Sequence, residues 1–121
     1  MPEKPRILVV DDDGPILLLM RSVLREFGFE AVSAASGQQA IEEAQRATPD
    51  LILLDRNMPG MSGDETLRAL REVPALTETP ILILSGEPIE PNELAALGAD
   101  GAVLKPFDVQ ELVATIRKHV R

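Results

Sequence analysis

The stretch ILVVDDD, residues 7–13, decides how the chain is read. Four consecutive aliphatic residues without polar alternation suit a strand buried on both faces, and three aspartates then stop it. The same punctuation recurs down the chain. LILL (51–54) stops at Asp55, ILIL (81–84) at Ser85, and AVL (102–104) at Lys105, while a weaker run, AVSA (31–34), ends near Ser36. Helical patterns fill the gaps. Ile16, Met20, Val23 and Phe27 share one face, with Gly28 as the stop. Ala40, Ile41 and Ala44 give a second helix a small-residue face, and Leu67 and Leu70 mark a third. Ser36 with Gln39 and Ser62 with Glu65 have capping-box spacing, and Asp108 with Glu111 is a close variant. The fourth helix is the weakest: Pro91 suits its first turn, Leu94 and Leu97 are its apolar pair, and Gly98 ends it. Val109, Leu112, Val113, Ile116 and Val120 line the last.

Five βα units follow in order, in one domain spanning 1–121. Strand–helix alternation with short connections predicts an α/β fold: a parallel sheet with helices on both faces. Periodicity does not give the strand order. The flavodoxin-like order 2-1-3-4-5 is the common five-stranded solution.

Phe27, Phe29 and Phe107 are the only aromatic residues, so the core must be aliphatic. A formal net charge of −8 repels phosphate backbones, which argues against direct nucleic-acid binding; Arg117, Lys118 and Arg121 do not make a DNA-binding module. The absence of cysteine excludes disulfides and thiolate metal sites. No run looks like a signal peptide or approaches the ~20 apolar residues of a membrane span, so a cytoplasmic protein without membrane partners is expected.

In a parallel sheet all the polar stops lie on one edge. With the order 2-1-3-4-5, strands one and three are neighbours at the topological switch point, where open α/β sheets bind ligands. Asp11, Asp12 and Asp13 should therefore meet Asp55, with Ser85 and Lys105 to one side. Clustered carboxylates repel unless a cation intervenes. Mg2+ fits, because it takes one or two carboxylates, keeps several waters and accepts phosphate oxygens. A carboxylate beside Mg2+ and a lysine can act as a nucleophile toward phosphorus, and Ser85 can donate to a phosphoryl oxygen.

Four segments in order, ILVVDDD (7–13), DLILLDRNMPGMSG (50–63), ILILSG (81–86) and GADGAVLKPF (98–107), resemble the receiver domains of two-component response regulators. The resemblance implies that Asp55 is the phosphoacceptor, that Asp12 binds Mg2+ directly and Asp11 through water, and that the Asn57 carbonyl is a further ligand. It implies that Ser85 and Lys105 contact the phosphoryl group and that the Lys105–Pro106 bond is cis. The donor it implies is a sensor histidine kinase or a phosphotransfer protein, with an unspecified output partner and no turnover chemistry. Asn57 and Glu87 match the pair found in single-domain chemotaxis regulators, which implies a short-lived phosphorylated state.

The chain departs from the family pattern in three places. Ala102 replaces the usual aromatic, Arg56 replaces an aliphatic residue, and the segment from Ser85 to Lys105 is short, with Gly101 in place of a frequent Asp. Ala102 has no rotamer to change, so a signal is expected to travel through the 85–92 loop and the fourth helix. Simpler roles are expected elsewhere: Asp13 at a helix start, Arg56 as a solvated loop cation, His119 exposed on its helix, and Gly60 and Gly63 serving turn geometry. Two other readings compete. Asp11-x-Asp13-Gly14 resembles the start of haloacid-dehalogenase-type phosphatases, but Pro15 stands where those carry Thr. A receiver-like docking module without acceptor chemistry is the third.

Overall fold

The computed structural model describes residues 4–120; Arg121 and the ends of the 1–121 domain lie outside them. Five strands, β1 (Arg6–Val10), β2 (Glu30–Ala34), β3 (Leu51–Asp55), β4 (Ile81–Ser85) and β5 (Gly101–Leu104), alternate with five helices. These are α1 (Gly14–Glu26), α2 (Gly37–Arg46), α3 (Gly63–Arg71), α4 (Pro91–Leu97) and α5 (Val109–His119), with a short 3-10 turn at Pro74–Leu76. All strand pairs are parallel, in the order β2-β1-β3-β4-β5. The expected flavodoxin-like order is therefore the observed one.

Strand side chains alternate between faces, and the two faces bury different helices. Ile7, Val9, Leu51, Leu53, Leu82, Leu84 and Val103 pack with Leu17, Met20 and Leu24 of α1 and with Leu112, Val113 and Ile116 of α5. Leu8, Val10, Ile52, Leu54, Ile81 and Ile83 pack with Ala40 and Ala44 of α2, Leu67 and Leu70 of α3, and Leu97 of α4. This two-sided burial explains why the strands read as unbroken aliphatic runs.

The face expected for α1 is rotated. Leu17, Met20 and Leu24 are buried, whereas Ile16, Leu18 and Leu19 are 39%, 67% and 63% exposed. The run ILLLM (16–20) is apolar around its whole circumference, so periodicity could not choose a face; packing onto the sheet did. Val109, expected in the α5 stripe, is also exposed.

The caps follow expectation in part. Ser62 and Glu65 form a complete capping box on α3. Ser36 accepts from the Gln39 N–H, but the Gln39 side chain reaches back to the Ala35 N–H. Asp108 accepts from the N–H of Gln110, and Glu111 does not complete a box. Gly98, at φ 85°, ends α4 in a left-handed conformation that side chains resist. Gly60 (φ 75°) serves a turn as expected. Gly63 does not have positive φ; it is required because a Cβ there would lie 2.6 Å from the Arg56 Cα and the Asp55 carbonyl oxygen. The Lys105–Pro106 bond is cis. Among the described residues, no helix is long and apolar enough to cross a membrane.

Candidate functional site

Strand register builds the site. Val10 of β1 lies opposite Leu54 of β3, so the next residues, Asp11 and Asp55, arrive side by side at the C-terminal edge of the sheet. One carboxylate oxygen each from Asp11, Asp12 and Asp55 lie within 4.8 Å of one another. Asp11 and Asp55 are buried and Asp12 is exposed. Lys105, following β5, sends its ammonium to 3.0 Å from Asp55 Oδ1. The Asn57 N–H approaches the same oxygen at 3.4 Å.

The electrostatics are unbalanced. One ammonium faces three carboxylates. Asp11 Oδ1 accepts the N–H of Asp13, but its Oδ2 is buried without a partner. Burial pushes the Asp11 carboxyl above the usual aspartate range; the Asp13 N–H opposes this, and the charges of Asp55 and Asp12 add to it. An orphaned buried oxygen among carboxylates is the setting that a hard divalent cation satisfies. The donors are all oxygens, which disfavours softer metals.

Pleat parity sorts the remaining groups. Asp55 and Lys105 are in phase with Leu53 and Val103, on the α1/α5 side; Arg56 and Ser85 are in phase with Leu54 and Ile83, on the side of α2, α3 and α4. Ser85 is buried, and its hydroxyl donates to the Glu87 carbonyl at 2.7 Å and accepts from the Glu87 N–H at 3.1 Å. Its hydroxyl is thus held by the following loop, not by Asp55. Arg56 is not the solvated cation expected. Its Nη2 donates to Glu93 of α4 at 3.0 Å, and its Nε lies 3.2 Å from Asp64 of α3. Glu93 first, and Asp64 with it, hold the guanidinium more firmly charged, against partial burial. Nothing in composition singled out Asp64 or Glu93; the alternation that turns Arg56 away from Asp55 was the available signal.

Asp13 caps α1 through the Ile16 N–H, as expected of an acid at a helix start, but it does not meet Asp55 as the convergence of the whole acidic run predicted: the cap holds it outside the three-carboxylate cluster. His119 is half-buried rather than exposed, with Nδ1 2.9 Å from the Thr115 carbonyl oxygen. It lines a hollow with Thr48, Asp50 and Glu78, residues that flank the opposite edge of the sheet.

The family model of the response regulator receiver domain matches residues 7–117. The chain belongs to that family. This receiver is 39% identical over 119 residues to the transcriptional regulatory protein PrrA of Mycobacterium tuberculosis, covering 97% of this chain and 50% of that protein. It is 39% identical over 120 residues to the DNA-binding response regulator MtrA of Mycolicibacterium smegmatis, covering 98% and 51%. The receiver therefore spans about half the length of these relatives. Among solved structures it resembles the chemotaxis protein CheY4 of Vibrio cholerae, with 36% identity, a TM-score of 0.91, and 97% and 99% of the two chains covered. The response regulator TrrA of Thermotoga maritima, solved in complex with Mg2+ and beryllofluoride, matches at 33% identity and a TM-score of 0.84, covering 96% and 99%. The receiver is a phosphoacceptor switch of two-component signalling. The phosphatase reading falls, since the family match and the exclusion of Asp13 from the carboxylate cluster both oppose it.

Proposed function

We propose that Asp55 is the carboxylate that takes the phosphoryl group, from a histidine kinase or a phosphotransfer protein, and that residues 1–121 act as one receiver unit in the cytoplasm. The observation that carries this is the Asp55–Lys105 contact at 3.0 Å beside the orphaned Asp11 Oδ2. A carboxylate oxygen of Asp55 attacks phosphorus as the bond from phosphorus to the donor imidazole nitrogen breaks, and the imidazole leaves with its electron pair. Lys105 meets charge on the transferring group, and Asp11 and Asp12 with Asp55 and the Asn57 carbonyl would hold Mg2+. When bound, that ion offsets charge on nucleophile and phosphoryl group and orients both. Ser85 exchanges its bond to Glu87 for a phosphoryl oxygen. The same groups promote hydrolysis of the acyl phosphate, so the receiver is consumed and regenerated as a switch without serving as a turnover enzyme.

The donor's approach is supported by the exposed apolar residues of α1. A hollow of about 350 Å3, lined by Ile16, Leu19, Phe107 and Val109, carries Asp11 and Lys105 in its wall, so an amphipathic helix bearing a phosphohistidine can seat beside the acceptor. Acetyl phosphate with Mg2+ should add one phosphoryl group by intact mass, none with a chelator and none in Asp55→Asn. A hydroxylamine-sensitive gain that persists in Asp55→Asn would refute the assignment.

A further inference from the structure

α4 is the least anchored helix of the fold. It has seven residues, no side-chain N-cap, and a single buried residue, Leu97. Two arginines hold it, one at each end, and they differ in kind. At the C-terminal end, Arg71 donates from Nε to the Gly98 carbonyl, from Nη1 to the Leu76 and Thr79 carbonyls, and from Nη2 to Asp100. Asp100 in turn accepts the N–H of Ile81 in β4. Through Arg71 and Asp100 this end is linked to α3, to the segment before β4 and to β4 itself. At the N-terminal end the side-chain tie is Glu93, bonded to Arg56 at 3.0 Å. Arg56 is the residue after the acceptor, and its Nε stays beside Asp64 of α3. A polar hollow of about 560 Å3 opens between the acceptor loop and the β4–α4 loop, lined by Arg56, Asn57, Ser85, Glu87 and Glu93. Nη2 also reaches Asp64 at 3.3 Å, and it borders this hollow, so it can leave Glu93 while the guanidinium keeps Asp64.

Building on Asp55 as the acceptor, we propose that Arg56 is a charge latch: it holds the N-terminal end of α4 through Glu93 while Asp55 is unmodified, and the phosphoryl charge releases it. A phosphoryl group brings a charge of about −2 one residue from Arg56, where it competes with Glu93 for the guanidinium. The freed end of α4 pivots about the Arg71 clamp at Gly98. Glu93 is about half exposed and Arg56 about a quarter, so solvent screens the pair enough for such competition to break it. Because coupling is reciprocal, cutting the latch must raise the affinity of the acceptor site for a phosphoryl mimic.

The test is a titration of the full chain with Mg2+ and beryllofluoride, combined with amide exchange on the unmodified protein. Glu93→Gln should bind beryllofluoride about three- to five-fold more tightly. Amides of residues 92–97 should exchange faster in both Glu93→Gln and Arg56→Met, while those of Ile81 and Asp100 keep their protection. In an Arg56→Met background, Glu93→Gln should add little. An equal gain in that background would mean that Glu93 acts only by its own charge on the anion, and would overturn the latch. Unchanged exchange of α4 in both variants would overturn it as well. A wild-type chain that binds no beryllofluoride overturns the acceptor reading and the release step, while the exchange data still decide whether the latch exists.

Discussion

Gly63 is the position where a single methyl group should disturb the acceptor without touching any of its functional groups. It is the first residue of α3, and its N–H donates to the Arg56 carbonyl at 3.0 Å. A Cβ placed there lies 2.6 Å from Arg56 Cα and Asp55 O, and 2.8 Å from Arg56 O. The shortest contacts fall about 0.8 Å short of the 3.4 Å of ordinary packing, and the opposing atoms belong to backbone. They cannot rotate away. α3 must lift, or the β3–α3 loop that carries Asp55 must yield. Overpacking of this kind costs about 1–3 kcal/mol. With about 2.1 cal/mol/K of unfolding entropy per residue, a domain of this length should lose about 4–12 °C in Tm. Thermal unfolding of Gly63→Ala followed by circular dichroism measures this, and beryllofluoride affinity should fall with it. Gly14→Ala is the control: it opens α1, no atom lies within 4 Å of its added Cβ, and its φ is not positive. Its Tm should stay level or rise. A Gly63→Ala protein that melts with wild type would refute the close-approach argument.

Asp11→Asn should stabilise the metal-free protein at neutral pH. The folded carboxyl titrates above its ordinary value of 3.8, so ionised Asp11 costs stability at pH values above its folded titration. That cost fades as pH falls through the folded titration, and the two proteins should converge at acid pH. Added Mg2+ should raise the Tm of wild type and not of Asp11→Asn, reversing the order; a variant less stable than wild type in chelator at pH 7 would contradict this. Arg71→Met should lose about 2–4 kcal/mol in urea unfolding, because the Leu76, Thr79 and Gly98 carbonyls lose their shared donor. A loss below about 0.5 kcal/mol, the level of an ordinary surface change, would show that water replaces it.

Much of this molecule was legible from its residues. Buried strands with helices on both sides leave unbroken aliphatic runs, and the residues that interrupt those runs must stand at the sheet edge. Hence Asp11, Asp12, Asp55, Ser85 and Lys105 could be named before any coordinates, and the register of β1 against β3 brings the first three together. The α1 face was not legible, because five consecutive apolar residues offer no contrast for a period to detect. Gly63 was read as a turn glycine, since a sequence does not show which backbone will press against it.

The sequence by itself determined the fold class, the edge on which the chemistry gathers and the polar residues that end the strands there, because alternation and burial are local properties of the chain; it did not separate Asp13, which stays outside the carboxylate cluster, from its two neighbours. The tertiary structure alone decided the partnerships. Ser85 is held by Glu87, Arg56 is drawn to Asp64 and Glu93, and Arg71 ties α3, α4 and β4 together. Arg56 and Glu93 are 37 residues apart, and Arg71 and Asp100 are 29. At such separations no short-range pattern links two charges. Only the packing of α3 and α4 over one face of the sheet brings them within reach, and Coulomb attraction between side chains is strong enough to select a partner only at that range.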